Sequence, residues 1–206
     1  SGQSDTILVN NKTRLDNVHW SVNPFSLLLL RLSTDLEADI KQNRTVGNLI
    51  VYPNGSIEAN SVRARLNAKD VQQMINMPFG QLEGEINVNL ETLELDAGGL
   101  PKATGQIKWR SAKLTLAETV ELGNIEINIA PEQKDMKAVI SNKGGMISIS
   151  GSATISDNKA YILDIDFKPE ATASASIAQS LGMFARRLPN GTYQLKQNGN
   201  LKQFGL

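Results

Sequence analysis

A mainly β protein is predicted: a curved, mostly antiparallel meander of many strands with two short helices packed on it. Three observations carry the prediction. Apolar and polar residues alternate with a period of two through most of the chain, turn residues separate the alternating stretches, and helical spacing appears in only two segments.

The clearest alternation is QLEGEINVNLETLEL, which puts Leu82, Gly84, Ile86, Val88 and Leu90 on one face and Glu83, Glu85, Asn87 and Asn89 on the other. A half-buried strand requires this pattern. It recurs in KATGQIKWRSAKLTL (Ala103, Gly105, Ile107, Trp109), in GNIEINIA (Ile125, Ile127, Ile129), in MISISGSATIS and in AYILDIDF (Tyr161, Leu163, Ile165, Phe167). Gly84, Gly105 and Gly151 fall inside these stretches, where a glycine marks a bulge, a bend or the close approach of another backbone. Between them sit PNG at 53–55, NKGG at 142–145, SDN at 156–158 and PNG at 189–191. Asn-Gly supplies the positive φ values that a type I′ hairpin turn needs. Asn54 and Asn190 also begin glycosylation sequons, as do Asn11 and Asn43, but the turn explains the first two without invoking modification.

The stretch DNVHWSVNPFSLLLL ends in four leucines. A membrane-spanning helix needs roughly 20 apolar residues, whereas this run is bounded by Ser26 and Arg31 and preceded by Pro24. It is therefore expected to form a strand. Leu28, Leu30, Leu32, Leu36, Ala38 and Ile40 then face the core, and Leu27 and Leu29 face a cover or, failing that, a partner. Trp20, Leu27 and Leu29 are the candidate partner-facing or lipid-facing apolar surface.

Helical spacing appears in NAKDVQQMINMPF, with Val71, Met74 and Ile75 following an Asn67 cap and ending at Pro78. It appears again in PEATASASIAQSLGMFARRL, with Ile177, Leu181 and Phe184. A strand opening with glycine follows each helix, which reads as a degenerate internal repeat of helix, glycine and strand.

The bulk numbers limit function. The 206 residues are expected to form one domain, with residues 1–4 read as a remnant left by removal of upstream sequence. Hydrophobic residues make up 40% and charged residues 20%, a composition that folds in water. Lys plus Arg equals Asp plus Glu, 21 each, so the basic excess of a nucleic-acid binder is missing. The chain has no cysteine, which excludes disulfides and thiolate metal sites.

No catalytic pattern emerges. A Ser-His-Asp arrangement would have to use His19, the single histidine, and alternation turns it away from Val18, Trp20 and Val22, towards solvent or a sheet edge. Asp164 and Asp166 share a strand face, which suits the polar side of an amphipathic strand better than an acid-base pair. Glu91, Glu94 and Asp96 are solvated charges by the same argument. Arg63 with Arg65, and Arg186 with Arg187, are surface charges on a strand face and at an element end. No glycine-rich phosphate loop or nucleophile elbow is present. The chain is thus expected to be no enzyme and to hold no cofactor or metal.

WSVNPFSLLL, GQIKW with LTL and ELG downstream, and SLGMF followed by LPNGTYQLKQNGNL resemble, in that order, the periplasmic part of type II secretion system protein N. The resemblance runs from Trp20 to the C-terminus. It implies the periplasmic domain of an inner-membrane protein in a Gram-negative bacterium, tethered by a transmembrane anchor not in this chain. It further implies an accessory part in export of folded proteins across the outer membrane, with the inner-membrane platform or outer-membrane secretin as partners. The family offers no catalytic residues to carry over. The alternative is a periplasmic carrier of lipid or another hydrophobic ligand, motivated by one-sided strands rich in Leu, Ile and Val with few aromatics.

Overall fold

The period-two segments become strands that pair with their neighbours in chain order. The computed structural model describes residues 1–9, 13–40, 43–74, 80–96, 101–115, 118–171 and 173–200. Its strands are β1 (Gly2–Val9), β2 (Thr13–Asn23), β3 (Leu32–Ile40), β4 (Asn43–Val51), β5 (Ile57–Asn67), β6 (Gln81–Leu95), β7 (Lys102–Thr115), β8 (Thr119–Glu132), β9 (Asp135–Lys143), β10 (Ile147–Ile155), β11 (Ala160–Pro169), β12 (Arg186–Arg187) and β13 (Tyr193–Asn200). They form one 13-stranded antiparallel sheet in the order β1 to β11, then β13, then β12. The sheet does not close into a barrel; β1 and β12 are its edges. β1 takes up residues 2–4, so these are part of the sheet.

Cross-strand partners share a face, so the register sorts the side chains. One row runs Ala64, Val88, Ile107, Ile127, Ile140, Gly151, Ile165 and Leu195 across eight strands. The row behind it on the other face runs Arg63, Asn89, Gln106, Asn128, Val139, Ser152, Asp164 and Lys196. One face is thus predominantly apolar and the other predominantly polar.

Bulges re-aim strands where alternation alone would break this sorting. Gly84 and Gly105 have φ of +113° and +152°, and a Cβ at either would collide with the backbone of the neighbouring strand. The β6–β7 register shifts beside Gly84 and again opposite Gly105. The expectation of close approach at these glycines holds.

Two seven-residue helices, α1 (Ala68–Met74) and α2 (Ala175–Leu181), lie at the same rim of the sheet. Asn67 caps α1 as predicted, its Oδ1 accepting the Lys69 N–H at 3.0 Å. Ile75 and Pro78 lie outside the described residues. Ser174 caps α2 through its Oγ, and Ile177 and Leu181 are buried. Together with Val120, Leu122, Ile125, Ile147, Ile149 and Tyr193 they form the main core. Phe184 does not belong to that helical face: α2 ends before it, and its ring packs edge-on against Phe167 at 5.8 Å. In the second of the two helix–glycine–strand units, the short β12 stands between helix and strand.

The leucine run differs from its prediction. Residues Pro24–Leu29 form a 3-10 helix, Leu30 adopts φ 52°, and β3 starts only at Leu32. Local hydrogen bonds decide this. Asn23 Oδ1 accepts the Phe25 N–H at 3.0 Å, and Ser26 Oγ donates to the Asn23 carbonyl at 2.6 Å while accepting the Ser33 N–H at 3.0 Å. Pro24, unable to donate to a ladder, suits the first turn of a helix. Leu27 and Leu29 therefore lie in a helical turn, and their side chains lie outside the described residues. Leu30, assigned to the core by alternation, is 76% exposed.

The Asn-Gly turns also differ in type. Gly55 N–H donates to the Tyr52 carbonyl at 3.0 Å and Tyr52 N–H to the Ser56 carbonyl at 2.9 Å, with positive φ at Gly55 but not at Asn54. This is a type I turn followed by a left-handed residue, not the two-residue type I′ turn. Leu188 to Thr192 repeat the same bonds, at 3.0 and 2.7 Å, and Ser156 to Ala160 do so at 2.8 Å each. In each loop the asparagine Oδ1 accepts the N–H two residues on. Only the third loop puts a side-chain-bearing residue, Lys159 at φ 67°, where the others use glycine.

Two stability outcomes follow from this packing. Ile177→Ala, which empties a site under α2, lowers unfolding free energy by about 2–4 kcal/mol in urea titration. Lys159→Gly relieves the left-handed penalty and raises the melting temperature by roughly 2–4 °C, for a gain of about 1 kcal/mol, in a calorimetric scan.

Candidate interaction surfaces

Reactive groups do not converge among the described residues. His19 is exposed on the polar face, between Gln3 and Glu37. Asp164 accepts from Gln194 Nε2 at 3.1 Å and pairs with Lys196 at 3.2 Å. Asp166 faces Ser150 and Gln194 across the strands, with Oδ1 buried and unpartnered. Glu91, Glu94 and Asp96 are exposed. Among the described residues no three His, Cys, Asp or Glu side chains group to hold a metal ion.

The polar face instead holds itself together. Gln106 Nε2 donates to Glu126 at 2.6 Å and to Asn128 at 2.7 Å. Arg44 pairs with Glu37 at 2.7 Å and Arg65 with Glu85 at 3.5 Å, both exposed pairs of small energetic weight. Two adjoining clefts of about 870 and 850 Å³ share Val46 and Arg63 on this side of β1 to β6. Arg186 and Arg187 are exposed on β12, the Arg187 guanidinium 6.0 Å from the Tyr193 ring centroid.

Near the rim opposite the helices, the Asn60 side chain and then the Tyr52 hydroxyl, each 2.7 Å from Glu58, hold its carboxyl below the ordinary glutamate range. The same Glu58 pushes Tyr52 up. On the first two strands, Arg14 and Thr6 likewise hold Asp16 down.

Large apolar side chains reach solvent on the polar face, at Val139 and Ile162, and most strongly at the two rims. Phe25, 74% exposed, joins Leu30 in the β2–β3 connection; Met183, 84% exposed, and Phe184 follow α2 at the opposite rim. Trp20 is half-buried on the apolar face, and its indole lies over the Gly2 backbone, where a Cβ would collide with it. Trp20 lies in β2, whereas Leu27 and Leu29 lie in the 3-10 helix that follows it. The exposure of Phe25, Leu30 and Met183 carried no signal in period-two or helical spacing, because all three sit in connections.

A surface-built protein of this kind is identified by its family. The model of type II secretion system (T2SS) protein N matches residues 1–196. The chain belongs to that family. The match makes it an accessory component of type II secretion and associates it with the Gram-negative envelope. No curated protein and no solved structure matches it. No helix among the described residues is long and apolar enough to cross a membrane.

The Glu58 cluster gives a pH dependence. A carboxylate whose pKa is depressed on folding contributes stability above its unfolded pKa and loses it as pH falls through the folded value. Between about pH 6 and pH 3 the urea midpoint of Glu58→Gln therefore falls less than the parent's, by a modest margin because the group is solvated.

Proposed function

We propose that this chain is the periplasmic, protein-binding part of a T2SS protein N, supporting export of folded proteins by docking on the inner-membrane platform or the outer-membrane secretin. The observation that carries the reading is an open sheet of the protein N family with β1 as an unclosed edge and with apolar side chains exposed at both rims. Unpaired edge groups and exposed apolar side chains are what strand addition and protein contacts use. A polar face that satisfies much of its own hydrogen bonding, and reactive groups that do not converge, fit a module that works through surfaces rather than by catalysis.

Crosslinking of the full-length protein in intact envelopes tests this. Recovery of platform or secretin components is expected. Failure to recover either, together with stoichiometric lipid in the native mass spectrum of the purified chain, overturns the reading in favour of a carrier.

A further inference from the structure

The two edges of the sheet are built differently. At the C-terminal edge the two-arginine β12 pairs only with Tyr193 and Gln194, and the outer side of β13 beyond them, LKQNGN at 195–200, is without a strand partner among the described residues but carries Lys196, a residue type that discourages edge pairing. At the N-terminal edge β1 runs for eight residues, GQSDTILV, with one charge at Asp5 and no Lys, Arg or Pro. Its outer side has no strand partner among the described residues.

Trp20 makes this edge more than a row of backbone groups. Its indole lies across β1 at Gly2, a position whose missing Cβ leaves room for the ring, and Nε1–H makes no hydrogen bond among the described residues. The ring therefore presents an apolar surface and a free donor beside the open edge. The larger polar-side cleft, bordered by Gln3, His19 and Ser21, opens at the same strand.

We propose that β1 is a docking edge which takes an extended segment of a partner polypeptide as an added antiparallel strand. An apolar side chain of that segment rests on the Trp20 indole, and a basic side chain lies opposite Asp5. Backbone pairing supplies affinity, and the side chains that alternate along the strand supply selectivity. A second copy of the same edge fits poorly, since antiparallel self-pairing through the middle of β1 brings Asp5 towards Asp5. This inference rests on the protein-binding reading above and names the site for it.

The probe is a blocked nine-residue peptide of alternating threonine and valine with a central lysine, added to the isotope-labelled chain. Binding is expected to slow exchange of the outward-facing, alternate amides within residues 3–8 at least about tenfold and to shift tryptophan emission, while Trp20→Ala weakens binding about tenfold. The same peptide N-methylated at every residue has no N–H on either edge, cannot form the ladder and is expected to leave exchange unchanged. Absence of β1 protection, or equal binding of the N-methylated peptide, overturns the proposal. In the envelope crosslinking, loss of platform or secretin recovery in Trp20→Ala with Asp5→Lys supports it. Undiminished recovery overturns this site while leaving the protein-binding reading intact.

Discussion

One apolar face on a single open sheet is the constraint from which the rest of the molecule follows. The strands put Leu, Ile, Val, Trp and Phe side chains on one side, yet among the described residues two seven-residue α-helices are available to help cover them. The buried core accordingly gathers where α2 lies over β7 to β10 and β13. Elsewhere most of the apolar side chains are half-buried among their own cross-strand neighbours. In the N-terminal half the buried apolar residues among those described are Val18, Ala38, Ile50 and Ala68. Unequal cover gives the sheet a well-anchored C-terminal half and an N-terminal half held mainly by its ladders.

Keeping the two faces separate over so many strands depends on local chemistry. Bulges at Asn17, Ser61, Glu91 and Ser111 each absorb a residue so that the apolar set returns to its own side. Asn142 shows how a polar residue can sit in an apolar row at little cost. Its amide nitrogen donates to the Leu122 and Ile147 carbonyls, both at 2.7 Å, and its oxygen accepts the Ile149 N–H at 2.7 Å, tying the β9–β10 turn to β8. A buried group with its partners in place pins geometry instead of weakening it.

Membership in the protein N family makes the chain a part of a larger secretion machine. An open antiparallel sheet suits such a part physically. Its edge groups offer directional bonds to an incoming strand, while its polar face is occupied with internal amide and carboxylate contacts.

Much of the fold was legible because strand periodicity survives in the amino acids themselves. The alternation through residues 82–90 or 161–167 needs no neighbour to be recognised, and Asn67 announces the start of α1 by its side-chain oxygen alone. The candidate surface was half legible: Trp20 was singled out as an apolar residue, but its position over Gly2 depends on β1 pairing with β2. The leucine run failed as a strand because period-two counting ignores the hydrogen bonds from Asn23 and Ser26 that make a 3-10 turn cheaper than a ladder beginning at Pro24. The sequence by itself determined most of the strands, their polar and apolar sides and the positions of the turns between them, since these are local properties of side-chain order and backbone preference. Tertiary structure alone decided that the sheet stays open and that both helices sit at one rim, because those depend on pairings between residues far apart in the chain.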